Sequence, residues 1–217
     1  MSLSGMESSG YRVARMGVHQ PFDASAQFQE IAHRFRVLPD VQGRKAAYEF
    51  VRDIAYGDIG SRSANDVLLA RKGTCSGKHA LLKMLFESLG YEVQSWFAEH
   101  DFSQFPIQPW PQALAEFRGK TITDFHDFLK VNIGGEWISI DAVFDAPLVR
   151  LGFPLLQWDG QMSMELPIHA LRVFPAEGDV ESHKKALIAS LPQEVQELRK
   201  RFLSSLTAWL EEERIHQ

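Results

Sequence analysis

A chain of 217 residues, 45% hydrophobic and 24% charged, has the composition of a globular protein and enough length to bury a core. Its net charge of −5 gives no bulk attraction to nucleic acid or to an anionic membrane. No apolar run reaches the roughly 18 residues of a membrane-spanning helix. The Ser- and Gly-rich start, Met1 to Gly10, lacks the apolar stretch of a signal peptide. With a lone cysteine, this points to a reducing, cytoplasmic setting.

Helical spacing of Phe28, Ile31, Ala32 and Phe35 predicts a first helix over Ala24 to Val37. A second runs from Gln42 to Ala55, with Ala46, Phe50, Val51 and Ile54 on its apolar stripe. Turn residues from Tyr56 to Ser63 break it. Ser63-Ala-Asn-Asp then opens a short helix through Val67, Leu68 and Leu69, ended by Gly73. The strongest helix of the first half spans Cys75 to Ser88, with Ala80, Leu81, Met84, Leu85 and Leu89 on one side and Gly90 as its stop.

Tyr91 to Ala98 is rich in strand formers, and Glu99 to Gly119 reads as a long loop with a helical piece near Pro111 to Phe117. Strands over His126 to Ile133 and Glu136 to Val143 are joined by Gly134-Gly135, a hairpin signal. Ala146 to Gly160 is irregular, and Met162 to Phe174 holds a further strand. Two closing helices follow, Glu181 to Leu191 and Pro192 to Arg214. The wide apolar stripe of the second suits either a partner or the protein's own core. Helices, a central antiparallel sheet and more helices make the expected fold class α+β.

The lone cysteine, Cys75, lies in Arg71-Lys-Gly-Thr-Cys-Ser-Gly-Lys-His79. It cannot form an intrachain disulfide. It is a small buried residue, a reactive nucleophile, or one ligand of a mixed metal site with His79. The segment is not a phosphate loop. Only three residues separate Gly73 from Gly77, and His79 stands where Ser or Thr would hold magnesium. No second ligand pair accompanies Cys75 and His79. As the first residue of a helix, Cys75 would feel the free amides and positive end of the macrodipole, which favour a thiolate.

The hairpin adds partners for that sulfur. A two-residue loop pairs Ile133 with Glu136, so His126 and Asp141 become diagonal neighbours on one side. Leu129, Val131, Ile133, Ile138, Ile140 and Ala142 fill the other side and should pack on the core. The His126 side is more polar, with Phe128, Lys130, Asn132, Trp137 and Ser139. A slip of one residue would separate the pair. Asp141 can then orient His126, and His126 can pair with Cys75; a surface His beside a surface Asp is the alternative.

Gly73-Thr-Cys75, His126-Asp-Phe-Leu-Lys-Val and Trp137-Ile-Ser-Ile-Asp141 together resemble the pattern of the transglutaminase-like superfamily of papain-like thiol enzymes. Ala80-Leu-Leu, Leu89-Gly-Tyr-Glu-Val, Tyr56 and the Asp66-Val-Leu helix extend the likeness over about residues 42 to 145. The resemblance implies a single α+β domain over 1–217, with a papain-like core at about 42–145 and a C-terminal helical extension at about 146–217. It implies Cys75 as nucleophile, His126 as general base and acid, and Asp141 as orienter. The reaction would be hydrolysis or acyl transfer on a peptide or protein amide through a thioester, needing no cofactor or metal. The alternative is a catalytically idle fold that serves as a binding or scaffold module. His126 departs from the family pattern in being followed by Asp-Phe. No oxyanion side chain is assigned, Asn65 being one candidate among several, although the Cys75 amide can supply one donor. Trp110, Trp158 and the loop from Glu99 to Gly119 either line a groove or anchor the core.

Overall fold

A computed structural model describes residues 24–105, 107 and 109–215; the Met1 to Gly10 reading lies outside them. The chain opens with α1 (Ala24–Arg36) and α2 (Asp40–Arg52), and α1 buries Phe28, Ile31, Ala32 and Phe35 as its spacing requires. The buried stripe of α2 is rotated from the expected one. Gly43, Arg44, Ala47, Tyr48 and Val51 face inward, while Ala46 and Phe50 are only partly buried. Tyr48 accounts for the rotation, because its ring fills the core while its hydroxyl donates to the Asp141 carbonyl at 3.1 Å. Gly43 admits the end of α1, since a Cβ there would sit 2.5 Å from the Phe35 carbonyl oxygen.

Two short strands escaped the sequence reading: β1 (Ala55–Tyr56) pairs in parallel with β2 (Lys72–Gly73). Two-residue segments are too short to display a period. Between them lies α3 (Ala64–Ala70), capped where Ser63 Oγ accepts from the Asp66 amide. It ends at Arg71, which takes a left-handed φ of 51°, before Gly73 is reached. Next comes α4 (Cys75–Ser88), with the bounds its sequence predicts.

The main sheet contains β3 (Val93–Asp101), β4 (Thr123–Ile133), β5 (Glu136–Ile140) and β6 (Ala170–Pro175), in the order β5-β4-β3-β6. All neighbours are antiparallel. β3 runs on through Asp101, into the stretch expected to be loop, because β4 and β6 pair with it on both sides. The hairpin register is the expected one, with Ile133 opposite Glu136 and Leu129 opposite Ile140. The chain closes with α5 (Val180–Ala189) and α6 (Gln193–Ile215), giving an α+β arrangement of helices, antiparallel sheet and helices. No helix among the described residues is long and apolar enough to cross a membrane.

Two apolar clusters hold these layers. One joins α1 to α4 with Leu129, Val131, Ile138, Ile140 and Ala142 of the hairpin, and includes Trp158. The other packs Phe202, Leu206, Trp209 and Leu210 of α6 against Phe102, Phe105, Trp110 and Phe153. Trp158 and Trp110 are therefore core anchors, and the α6 stripe covers the protein's own core. Burying such aromatic surface contributes roughly 2 kcal/mol or more per side chain.

Lys78 of α4 fastens the two layers at one point. Fully buried, its ammonium donates to the carbonyls of Arg52 at 2.9 Å, Ile54 at 2.7 Å and Val143 at 2.7 Å. It thereby ends α2 and holds the segment just past β5. Lys78→Met keeps the stem but orphans those carbonyls, so urea unfolding should show a loss of about 3 kcal/mol. A variant as stable as the parent would show that these bonds are dispensable.

Candidate active site

Cys75 is the first residue of α4. Two glycines set its position: a Cβ at Gly73 or Gly77 would lie 2.8 or 2.7 Å from Val67 Cγ2, so both let α4 press its N-terminus against α3. Thr74, extended at the N-cap, makes no side-chain capping bond. The first-turn amides are therefore not closed off by a cap, and their positive potential acts on the sulfur. The β1–β2 bridge places Tyr56 opposite Gly73, beside the turn that leads into Cys75.

His126 and Asp141 are brought together. His126, opposite Ala98 in the β3–β4 ladder, shares a 2.5 Å hydrogen bond between its Nε2 and Asp141 Oδ2. Asp141 is fully buried. Its Oδ1 accepts from the Val143 amide at 3.0 Å. That turn ends β5 at Ile140, whereas the sequence predicts a strand through Val143, because the carboxylate captures a backbone donor the ladder would need. Cys75 also acts electrostatically on the imidazole, favouring its charged form. His126 is buried as well, which corrects the view of its side of the hairpin as a polar surface.

His79 of α4 is drawn into the same cluster. It is 2% exposed, and its Nε2 accepts from the Ala142 amide at 2.9 Å. The same nitrogen lies 3.5 Å from Asp141 Oδ1. With Tyr48 on the Asp141 carbonyl, α2 and α4 thus fix the carboxylate's backbone from two directions. Its ring meets the edge of His126 with centroids 5.9 Å apart.

The charges follow from this packing. Burial works against a cationic His126, but Asp141, then Cys75, push its pKa up to about 10. Burial also opposes the Asp141 carboxylate, and His126 followed by His79 overrides it, holding the group well below the usual range. Burial raises the Cys75 thiol, yet Lys184 and His126 outweigh burial and the Asp127 carboxylate, so the net shift is downward. The imidazolium is favoured, and the thiol is moved toward its thiolate.

Sequence reasoning missed Asp127, Ser76 and Lys184. Asp127 Oδ2 lies 3.4 Å from Cys75 Sγ and accepts from Ser76 Oγ at 2.7 Å and from Lys184. A carboxylate in the middle of an apolar strand was a usable sign for Asp127. Nothing local marked Lys184, which arrives from α5, more than a hundred residues after the cysteine. A cavity of about 760 Å³ opens onto Cys75, lined also by Tyr56, Asp124, Asp127, Lys184 and Arg199.

No protein-family model matches this chain, and no curated protein matches it. Among solved structures it is similar to a candidate cysteine protease from Cytophaga hutchinsonii, at 20% identity and a TM-score of 0.40, over 60% of this chain and 39% of that one. The chain thus spans well under half the length of that protein.

The His126–Asp141 pair makes stability depend on pH with a defined sign. A folded His126 pKa of about 10, above its ordinary 6.5, gives a contribution that is full below about 6.5 and lost as pH climbs through 10. The lowered Asp141 contributes above its ordinary range and loses that contribution only in strong acid. The stability gap between parent and His126→Gln in urea is expected to be widest near pH 5 and to narrow from about pH 7 to 10. A gap that is flat or widens over that interval contradicts a charged pair.

Proposed function

We propose that Cys75, His126 and Asp141 are the catalytic set of a transglutaminase-like thiol enzyme acting on peptide or other amide bonds. The observation that carries this reading is the buried, hydrogen-bonded His126–Asp141 pair, coupled to a cysteine at a helix start. One edge of the imidazole ring is tied to a buried carboxylate at 2.5 Å. The ring also couples electrostatically to Cys75, whose sulfur stands at a helix N-terminus and lines a cavity. A buried structural thiol has no need of either neighbour.

In this reading the Cys75 thiolate attacks the amide carbonyl and forms a C–S bond. The oxygen that becomes negative is met by the Cys75 backbone N–H at the start of α4. The imidazolium of His126 gives its proton to the leaving nitrogen as the C–N bond breaks, and a thioester remains. Neutral His126 then takes a proton from water, or from an acceptor amine, as that group attacks. The acyl group departs as an acid or a new amide, and the thiolate–imidazolium pair returns. Asp141 keeps one tautomer in place throughout and stabilises the imidazolium.

The same reading treats residues 1–217 as one domain. The cavity wall supports this, because it combines Cys75 and Asp127 from the family-like region with Lys184, Ile188 and Arg199 from the C-terminal helices.

p-Nitrophenyl acetate serves as a probe of acylation, read as a burst of nitrophenol and as an acetyl group on the Cys75 peptide by mass spectrometry. One acetyl per chain is expected, absent in Cys75→Ala, with turnover lowered by about a thousandfold or more in His126→Ala. Acceleration of deacylation by an added alkylamine would assign amine transfer, and no acceleration would assign hydrolysis. Absence of any acyl-enzyme in the folded parent points instead to an idle scaffold.

A further inference from the structure

α5 has no buried residue by position along its length, yet one of its lysines is tucked inside. The Lys184 side chain is 12% exposed. Its Nζ contacts Asp127 Oδ2 and lies 3.0 Å from Ser76 Oγ and 3.6 Å from Cys75 Sγ. The helix that delivers it is fixed at its start. Asp179 caps it by accepting from the Ser182 amide at 2.8 Å, and His183 accepts from the Glu177 amide at 2.8 Å. The His183 ring also packs on Phe97 of β3, with centroids 5.3 Å apart. This anchorage aims Lys184 at the nucleophile.

Asp127 creates the need for such a cation. A carboxylate 3.4 Å from a sulfur opposes its ionisation, the more strongly because Asp127 is buried. Only one of its oxygens is satisfied, since Oδ1 is buried without a partner among the described residues. Lys184 touches both the carboxylate and the sulfur, so it lowers the repulsion and adds an attraction of its own. Ser76, donating to Asp127 and accepting from Lys184, closes the small network.

We propose that Lys184 is a second catalytic cation beside His126, and that Lys184 and Asp127 set the charge of Cys75 in opposite senses. The C-terminal helices are then a working part of the catalytic centre. Other charged or titratable groups face the site too. Asp124 of β4 is bound by Arg199 of α6 at 2.7 Å, Arg62 ahead of α3 is bound by Asp58 at 2.7 Å, and Tyr56 of β1 lines the cavity. Asp124 and Arg62 each have an opposite charge against them and no contact with the sulfur, whereas the paired Lys184 and Asp127 both lie against it. The downward shift of the thiol, with Lys184 its largest favourable source, agrees with this assignment.

The inference rests on Cys75 being the nucleophile, and its test reads the thiol apart from acyl transfer. Iodoacetamide alkylation of Cys75 is followed from about pH 5 to 10 in the full chain. In Lys184→Met the profile should move to higher pH, with alkylation at about pH 6 slowed roughly tenfold. Lys184→Arg should restore the rate to within about threefold. Asp127→Asn should move the profile the other way, raising the rate at about pH 6 several-fold. Opposite signs from two residues in one contact cannot come from loosened packing, which would shift both alike. An unchanged profile in folded Lys184→Met, or shifts of the same sign, overturns the proposal. If Lys184→Met does not fold, Asp127→Asn decides by its sign alone. Alkylation shifts without a nitrophenol burst would keep the charge pair and reject acyl transfer; a burst with unshifted alkylation would do the reverse.

Discussion

The structure depends on keeping one carboxylate charged without water. Asp141 has no exposed surface, and an isolated buried ion costs several kcal/mol. That cost is offset by His126 on one oxygen and the Val143 amide on the other. The carbonyl of the same residue takes the Tyr48 hydroxyl, and the next amide donates to His79. Helices α2 and α4 are thereby tied to the end of β5. The end of β5, the inward turn of Tyr48 and the burial of His79 all answer the same requirement.

The same arrangement defines the chemistry available at Cys75. His126 is made a strong base by Asp141, and α4 points its free amides at the place where the sulfur lies. A charged histidine buried in the sheet and a charged cysteine at the cavity wall can then coexist. The second apolar cluster matters here because it seats α6 against the loops beyond β3. With α5 it closes the far side of the Cys75 cavity. Charged groups from the sheet and from the helical tail thus meet at one end of α4, and any function lies in that site rather than in the fold as such.

Local chemistry made much of this readable. The 3.6-residue period of Phe28, Ile31, Ala32 and Phe35 was enough for α1, and Gly134-Gly135 was enough for the hairpin register, since both loop glycines take positive φ of 62° and 93°. That register, with alternation along two strands, is what placed His126 near Asp141. The rotated stripe of α2 was not readable, because its cause is a hydrogen bond from Tyr48 to a residue 93 positions away. The β1–β2 bridge was invisible for a different reason: two residues show no period.

The sequence alone determined the helices and the strands of the main sheet, the pairing of His126 with Asp141, and the position of Cys75 at a helix start. These rest on short-range rules of turn, period and cap that act within about a dozen residues. Tertiary structure alone decided that His79 and Lys78 turn inward, and that Asp127 and Lys184 stand against the sulfur. Their partners lie on other elements, and electrostatic contacts between distant segments leave no periodic trace in either. The cysteine could be picked out from its neighbours in the chain; the charges that govern it come from neighbours in space.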